Sequence, residues 1–437
     1  MIVISILLAI ASRLLLFQSD ILSKLMINIA INTPITSWNR VVEGITYIQN
    51  GIPAYSGDNF HQTPLVLSFF YLLRNSHEQL LNLVFIVFDL GISYNLYHIS
   101  KHTLSAIISK EEKIKSKISK SSNTILVNQS SIMVTPTLVS ILYLLHPFSI
   151  LTCIAKSVII INNYAVTLAI LLTLKRKGVA AMLALAAASY QSLYPFMLVI
   201  PLSLHLCSEA NILLQDNYSM KRSQIIKFIN YVICFCLWFV ILLGTSYILL
   251  GSWDFMRATY GFILSAPDME PNLGLFWYFF TEMFDHFKLF FLFVFQINAF
   301  FYLVPLTFRL RYDPIFLTYL TCLLIAAFKS YPSLGDLTFT LALLPVWSHL
   351  LKYCRNSFVI VIMILSSTVL APILWYLWIY AGSANANFFY AVTLMHSTAQ
   401  VFLVADLLYS YIIREHDLYH GTERDYSLTK PLLSQID

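Results

Sequence analysis

Residues 226–250 read IKFINYVICFCLWFVILLGTSYILL, a run of 25 residues in which Lys227 is the single charged side chain. A helix of about 20 apolar residues is long enough to cross the hydrocarbon core of a bilayer. Similar runs recur along the chain at 2–19, 80–100, 136–154, 158–174, 178–206, 276–305, 314–331, 337–351, 357–380 and 388–413. This pattern predicts an all-α polytopic membrane protein in which residues 1–437 form a single transmembrane domain.

The composition excludes several other classes of protein. Hydrophobic residues make up 58% of the chain and charged residues only 11%, whereas an ordinary soluble domain is about 25% charged. So little polar side chain cannot cover a water-soluble core, which excludes a soluble enzyme, a disordered chain and a nucleic-acid-binding protein. A membrane β-barrel would instead show alternating segments of about 10 residues.

The basic residues predict the orientation in the membrane, because Lys and Arg accumulate in cytosolic loops. They form short runs at 110–120, 175–177, 221–222, 309–311, 352–355 and at Arg414. Placing these runs in the cytosol puts residues 20–79 on the opposite side and both termini in the cytosol. The run 178–206 must then cross twice, and Pro195 and Pro201 interrupt it. The predicted total is about twelve spans.

The polar segments have three different predicted structures. The polar and aromatic segment 20–79 is too long for a turn and is expected to be an ordered loop with short helices. Residues 103–130, rich in Lys and Ser, are predicted to form a flexible, basic cytosolic loop. Residues 414–437 are predicted to be a cytosolic tail. The six Cys form no CxxC pair, and His98 and His102 have the i, i+4 spacing that metal ligands could use but no third ligand nearby, so neither a metal nor a cofactor is predicted.

Ionisable groups at membrane depth are costly and are therefore candidates for function. They are Asp89, Lys156, Asp254, Glu282, Asp285, His286, Lys329, Asp336 and Asp406. Asp89 and Asp406 lie singly inside apolar runs, so interhelical hydrogen bonding is the favoured role for each. Lys329 and Asp336 flank a turn and could form an interfacial salt bridge.

The densest group of aromatic and acidic residues is the stretch GLFWYFFTEMFDHF at 274–287. On a continuous helix, Tyr278, Glu282, Asp285 and His286 would share one face. One interpretation is an aromatic belt at the membrane interface. The other is a wall for a lipid, in which Phe276, Trp277 and Phe280 contact acyl chains and the polar face contacts a headgroup. The residues alone do not decide between the two.

A second group, YAGSANANFFY at 380–390, precedes the last apolar run. Its Ser and Asn residues are typical of a turn and helix cap. Alternatively, the amides of Asn385 and Asn387 could hydrogen-bond a sugar or a phosphate.

One enzymatic hypothesis is a lumenal glycosyltransferase that uses a dolichol-phosphate sugar, since such enzymes carry acidic residues in the first lumenal loop. The acids there are Asp20, Glu43, Asp58 and Glu78, and no two are adjacent. Glu43 alone could act as a base, but the close carboxylate pair that a metal–sugar-phosphate site needs is missing. A lipid transporter is a third hypothesis, although no inverted repeat is visible.

The chain resembles the PIG-U family, the multispanning subunits of the glycosylphosphatidylinositol (GPI) transamidase, over nearly its whole length. The similar stretches are SWNRVVEG (37–44), AYSGDNFHQTPL (54–65), AKSVIIINN (155–163), YQSLYP (190–195), residues 252–287, VFQINAFFY (294–302), FKSYPSLGD (328–336) and LWIYAGSANANFFYAVTL (377–394). The chain departs from the family mainly at 103–130, at 207–224 and in the tail.

The resemblance implies a fold similar to that of the lumenal mannosyltransferases (GT-C type) without their acidic pair. It implies a multi-pass protein of the endoplasmic reticulum membrane that binds GPI without catalysing its attachment. The implied partners are GPI, membrane phospholipids and the PIG-K, PIG-T, PIG-S and GPAA1-type subunits, with the transamidase activity in another subunit.

The resemblance also places the Asn pair beside GPI. The candidate GPI- and lipid-binding residues are therefore Asn385, Asn387, Phe276, Trp277, Tyr278, Phe280 and Glu282. Phospholipid contacts at the cytosolic edge are expected at Lys221 and Arg222.

Overall fold

A computed structural model describes residues 2–19, 22, 25, 26, 28–74, 78–115, 120–208 and 221–421. The predictions for Asp20 and for most of the tail, 422–437, fall outside the described residues. Every regular element described is a helix. The α-helices are α1 Ile2–Phe17, α2 Trp38–Gln49, α3 Pro64–Arg74, α4 Glu78–Ile114, α5 Ser131–Leu145, α6 Pro147–Ile154, α7 Ile159–Leu174, α8 Gly178–Gln191, α9 Val199–Cys207, α10 Arg222–Leu250, α11 Asp254–Met256, α12 Phe262–Ser265, α13 Phe276–Glu282, α14 Asp285–Phe301, α15 Leu303–Leu310, α16 Pro314–Phe328, α17 Leu334–Leu343, α18 Ser348–Leu351, α19 Ser357–Ile379 and α20 Ala386–His420.

Six helical segments in the described part of the chain are long and apolar enough to cross a membrane. They are Glu78–Ile114, Arg222–Leu250, Asp285–Leu310, Leu334–Leu351, Ser357–Ile379 and Ala386–His420. A seventh is added if α5 and α6, which are bent by 48° relative to each other, count as one span. The chain is therefore an all-helical, multi-pass membrane protein.

The apolar helices differ in how far other helices bury them. Nearly every residue of α16 is buried by neighbouring helices, whereas α10 and α19 expose most of their apolar side chains. An inner helix does not need to span the whole bilayer by itself, because protein rather than lipid surrounds it. The outer helices, in contrast, contact the acyl chains directly.

The run 178–206 is broken, as its prolines indicate. Helix α8 ends at Gln191, Ser192 is extended, and a 3₁₀ turn at Tyr194–Leu198 leads into α9. The two ends of the run lie together, because Arg176 donates hydrogen bonds to the carbonyl oxygens of His205 (2.5 Å) and Ser208 (3.0 Å). The segment therefore runs out and back as a hairpin, and α8, with 14 residues, is only about 21 Å long.

Helix α4 continues well beyond residue 103, where the sequence predicts that a flexible loop begins. One face of the continuation is buried, with Leu104, Ile108 and Ile114 at helical spacing. On the same face, the buried Glu111 forms an ion pair with Arg414 of α20 and accepts a hydrogen bond from the backbone N–H of Val127 (2.8 Å). The prediction of a loop from residue 103 is therefore wrong as far as Ile114. The apolar side chains of this buried face are hard to recognise in the sequence because many Lys residues lie between them, and the Glu111–Arg414 ion pair joins this face to α20.

A buried ion pair joins α1 and α4, and its hydrogen bonds connect it to α5 and α6. Arg13 lies 2.6 Å from Asp89, and both side chains are fully buried. Asp89 also accepts hydrogen bonds from the hydroxyls of Tyr143 (2.8 Å) and Ser149 (3.1 Å). The expected interhelical role of Asp89 is confirmed, and its cationic partner lies within the first apolar run.

The other isolated acidic residues stabilise helix ends. Asp406 in α20 accepts hydrogen bonds from the backbone N–H groups of Arg355 (3.2 Å) and Asn356 (2.8 Å), which begin α19. Asp336 lies 2.5 Å from Lys329 and also accepts from the backbone N–H of Ser333 (2.8 Å), so it caps α17. Both side chains of the Lys329–Asp336 pair are nearly buried, so this salt bridge is inside the protein rather than at the interface.

Candidate lipid-binding site

The aromatic and acidic stretch at 274–287 forms two helices with a sharp break between them. Helix α13 ends at Glu282, and Met283 and Phe284 have extended backbones before α14 begins at Asp285. The expectation that Tyr278, Glu282, Asp285 and His286 share one helical face is therefore wrong. A helical face requires continuous i→i+4 geometry, and that geometry stops at Met283.

Helix α13 packs against the start of α20, so the structure brings the two predicted groups together. The ring of Tyr278 stacks on that of Tyr390 with centroids 4.3 Å apart, and its hydroxyl donates to Oδ1 of Asn387. Trp277 is buried against Phe389 and against Trp378 of α19. Aromatic pairs at these distances add to the free energy of packing beyond the buried area alone.

An open groove of about 330 Å³ lies at this junction. It is lined by Tyr278, Phe279, Glu282, Met283, Phe284, Phe287, Phe291 and Tyr390. Its walls are aromatic, and the exposed carboxylate of Glu282 is its one charged group. The extended backbone at Met283 and Phe284 creates the groove, because it separates α13 from α14. Such a groove has the size and apolar lining that suit an acyl chain.

The two asparagines at the start of α20 have different local roles. Oδ1 of Asn385 accepts from the backbone N–H groups of Asn387 (3.1 Å) and Phe388 (3.4 Å), so Asn385 is the N-cap of α20. Asn387 accepts from the Tyr278 hydroxyl instead. Both side chains are exposed, and neither amide NH₂ donates to any described residue. The amide of Asn387 therefore adjoins Tyr278, which lines the groove, and the amide of Asn385 lies two residues before it in the chain.

The structure places the other predicted lipid-binding aromatics behind this surface. Phe276, Trp277 and Phe280 are only 4%, 3% and 3% exposed, respectively. Phe276 and Phe280 pack on Phe295 of α14, while Trp277 packs on α19 and α20. These three side chains support the wall of the groove. Of the predicted lipid-binding residues, Tyr278 and Glu282 line the groove, and the other aromatic lining residues are Phe279, Phe284, Phe287, Phe291 and Tyr390.

Sequence reasoning missed a small internal cavity of about 20 Å³, which has room for about one water molecule. Its polar lining includes Gln62, Asn162, Gln191, Tyr194 and Lys329. The available signal was that all five lie in stretches that carry the family resemblance. Polar groups of this kind inside a helical bundle fix the packing of helices and hold ordered water.

Helix α2 and the loop between α2 and α3 are held against the segment that precedes α13. Arg40 forms ion pairs with Asp268 (2.9 Å) and Glu270 (3.5 Å). His61 stacks on Phe262 at 3.5 Å, and its Nδ1 lies 2.9 Å from the carbonyl oxygen of Ala258, so Nδ1 carries the proton. Burial lowers the pKa of His61 to about 4, which keeps the ring neutral.

Glu43, the candidate base of a glycosyltransferase, already has two hydrogen-bond donors. The Tyr47 hydroxyl (2.7 Å) and the Asn59 amide (3.2 Å) both donate to its Oε1. Within the part of the chain that the structure describes, no three His, Cys, Asp or Glu residues are close enough to hold a metal ion. Lys221 and Arg222, the predicted phospholipid contacts, lie exposed at the start of α10.

The helical bundle and its long apolar segments define a polytopic α-helical membrane protein. Residues 7–396 match the family model of the GPI transamidase subunit PIG-U. The chain is 40% identical to the human GPI-anchor transamidase component PIGU over 94% of both chains. It is 32% identical to the GPI transamidase component GAB1 of Saccharomyces cerevisiae over 89% of both chains. The chain belongs to the PIG-U family of GPI transamidase subunits, which confirms the resemblance and identifies it as a protein of GPI-anchor biosynthesis.

Proposed function

We propose that this chain is a non-catalytic subunit that binds GPI in the groove between α13, α14 and α20. In this proposal, acyl chains lie against Phe284, Phe287 and Phe291. The free amide NH₂ groups of Asn385 and Asn387 donate hydrogen bonds to the phosphate or sugars of the headgroup. The observation that carries the proposal is the position of the unpaired Asn387 amide against Tyr278, which lines the aromatic groove, with the Asn385 amide two residues before it in the chain.

The proposed surroundings of the subunit follow from its family. It acts in the endoplasmic reticulum membrane and helps to organise PIG-K, PIG-T, PIG-S and the GPAA1-type subunit around the bound GPI. Catalysis belongs to another subunit. The engaged state of Glu43 and the absence of a described carboxylate cluster favour this role over that of a glycosyltransferase.

The proposed topology is twelve spans in a GT-C type arrangement, with both termini in the cytosol. The six long segments, the bent pair α5–α6, and five of the shorter apolar helices together make twelve, with α3 assigned to the lumenal loop. Glycosylation acceptors engineered near residue 50 should be modified, and acceptors near residues 115 and 216 should not. Modification at either of the last two positions would contradict the topology.

The test of GPI binding uses substitutions that preserve the shape of the site. In Asn385→Asp with Asn387→Asp, both capping and accepting oxygens remain, both amide donors are lost, and negative charge faces the phosphate. A hydrogen bond to a charged group contributes about 1.5–3 kcal/mol. GPI attachment to a reporter should therefore fall at least about tenfold in cells that lack the endogenous subunit.

The matched control is Asn50→Asp with Asn128→Asp, which adds the same charge at two exposed helix ends away from the groove. Assembly, measured by co-purification of the other subunits, should be normal in both variants. Wild-type GPI attachment in the normally assembled site variant would refute the site. Failure of that variant to assemble would show instead that the two asparagines are structural.

A further inference from the structure

A second groove lies at the opposite, basic end of the bundle. It lies between the last turns of α4, the turn after α7, the end of α9 and the start of α16, and its free volume is about 180 Å³. This volume is below the roughly 300–1,000 Å³ of pockets that enclose a whole drug-sized ligand, so the groove has room for only part of a lipid. The basic runs used to assign the cytosolic side include the residues at its rim.

The lining of this groove is amphipathic. Lys110, Lys113 and Arg176 supply positive charge, while Ile107, Ile315 and Trp347 supply an apolar wall. Lys110 and Lys113 are one helical turn apart, so both ammonium groups can reach the same bound group. Neither forms a hydrogen bond or an ion pair with any residue in the described ranges.

The acidic residue that lines the groove does not neutralise the charge of its lysines. Asp313 is its one acidic lining residue. Oδ1 of Asp313 accepts from the backbone N–H of Phe316 (3.2 Å), and Oδ2 accepts from the Tyr411 hydroxyl (3.5 Å). This carboxylate therefore caps α16 rather than pairing with a lysine. Arg176 is held in place by its bonds to the carbonyl oxygens of His205 and Ser208.

We propose that this groove binds the headgroup phosphate of an anionic phospholipid, with the upper part of an acyl chain against its apolar wall. A free phosphate ion would use the cations but not the wall formed by Ile107, Ile315 and Trp347. Anionic lipids of the cytosolic leaflet attract Lys and Arg near the membrane surface. The lining includes neither Lys221 nor Arg222, so this site is separate from the phospholipid contacts predicted from sequence.

The proposal is tested on the purified complex in neutral detergent by native mass spectrometry. The probes are phosphatidylserine and phosphatidylcholine with matched acyl chains. Lys110→Gln with Lys113→Gln should weaken phosphatidylserine binding by about fivefold for each lysine and leave phosphatidylcholine binding unchanged. Ala106→Trp, which fills the groove without changing its charge, should weaken phosphatidylserine binding as well.

The matched control is Lys101→Gln with Lys177→Gln, which removes the same charge outside the groove lining. This control should keep wild-type affinity for phosphatidylserine. Three results would overturn the proposal: wild-type binding in the Lys110/Lys113 variant, an equal loss in the control, or full displacement of the lipid by 10-fold excess inorganic phosphate. The last result would identify a free phosphate site, and the second would indicate non-specific attraction to the basic surface.

Discussion

Replacing Asp89 with alanine should destabilise the bundle more than most single substitutions. Asp89 is fully buried, forms an ion pair with Arg13 (2.6 Å) and accepts hydrogen bonds from Tyr143 (2.8 Å) and Ser149 (3.1 Å). Its removal leaves the buried guanidinium of Arg13 without a counter-charge. Breaking a buried ion pair in this way typically costs about 3–5 kcal/mol, so we expect a loss of that size in the free energy of unfolding.

The matched variant removes both charges together. Replacing a buried ion pair by apolar side chains is often close to neutral, although the Tyr143 hydroxyl then loses its acceptor at a cost of about 1–3 kcal/mol. Arg13→Met with Asp89→Leu should therefore be at least about 1 kcal/mol more stable than Asp89→Ala. Adding Tyr143→Phe should recover most of the remaining loss.

The assay is unfolding of the purified protein in mixed micelles at increasing denaturing-detergent fraction, followed by tryptophan fluorescence. Wild type, each single variant and the double variant form a double-mutant cycle. A loss below about 1 kcal/mol for Asp89→Ala, or a double variant no more stable than Asp89→Ala, would refute the assignment of a stabilising buried pair.

Three further predictions concern His61, Asn385 and Glu43. His61 has a pKa of about 4 when folded and about 6.5 when unfolded, so stability is lost as pH falls from about 6.5 to about 4, by about 2 kcal/mol at pH 5. His61→Asn, which keeps a donor to the Ala258 carbonyl, should reduce the drop in melting temperature between pH 7.5 and pH 5, and an unchanged drop would contradict this. Asn385→Ala should lower stability to thermal unfolding by about 1 kcal/mol, because the N–H of Phe388 loses its cap. Asn385→Asp should retain the wild-type stability, because the aspartate oxygen still caps the helix. An equal loss of stability in the Ala and Asp variants would exclude a capping role. Glu43→Gln should leave GPI attachment to a reporter at the wild-type rate, and any sugar transfer by the purified protein that depends on Glu43 would instead support a glycosyltransferase.

The sequence predicts the class of fold well because the bilayer imposes a simple rule on helix length and polarity. Every apolar run is helical, although several are broken into two or more helices, and Pro195 lies in the 3₁₀ turn that interrupts 178–206. The sequence does not predict which side chains are buried in the same way. Arg13 is a single charged residue inside an apolar run, and its charge is stabilised there by the ion pair with Asp89, which only the tertiary packing brings into place.

The candidate site was predictable in composition but not in geometry. The aromatic residues near 280 and the amides near 386 indicate a lipid site, and the structure brings them together. The break at Met283 has no proline or glycine to signal it, so it was missed. That break decides which side chains line the groove: Phe284 and Phe287 face it, and Phe276 packs inside.

The most direct test of the account is photo-crosslinking of GPI to the purified transamidase complex. The probe is a GPI that carries a diazirine on one acyl chain, and the crosslinked residues are identified by peptide mass spectrometry. The account predicts labelling at Phe284, Phe287 or Phe291 in the wild-type complex. Labelling should be strongly reduced in the Asn385→Asp, Asn387→Asp variant and should stay at the wild-type level in the Asn50→Asp, Asn128→Asp control. Labelling confined to other surfaces of the chain, or equal labelling in all three proteins, would contradict it.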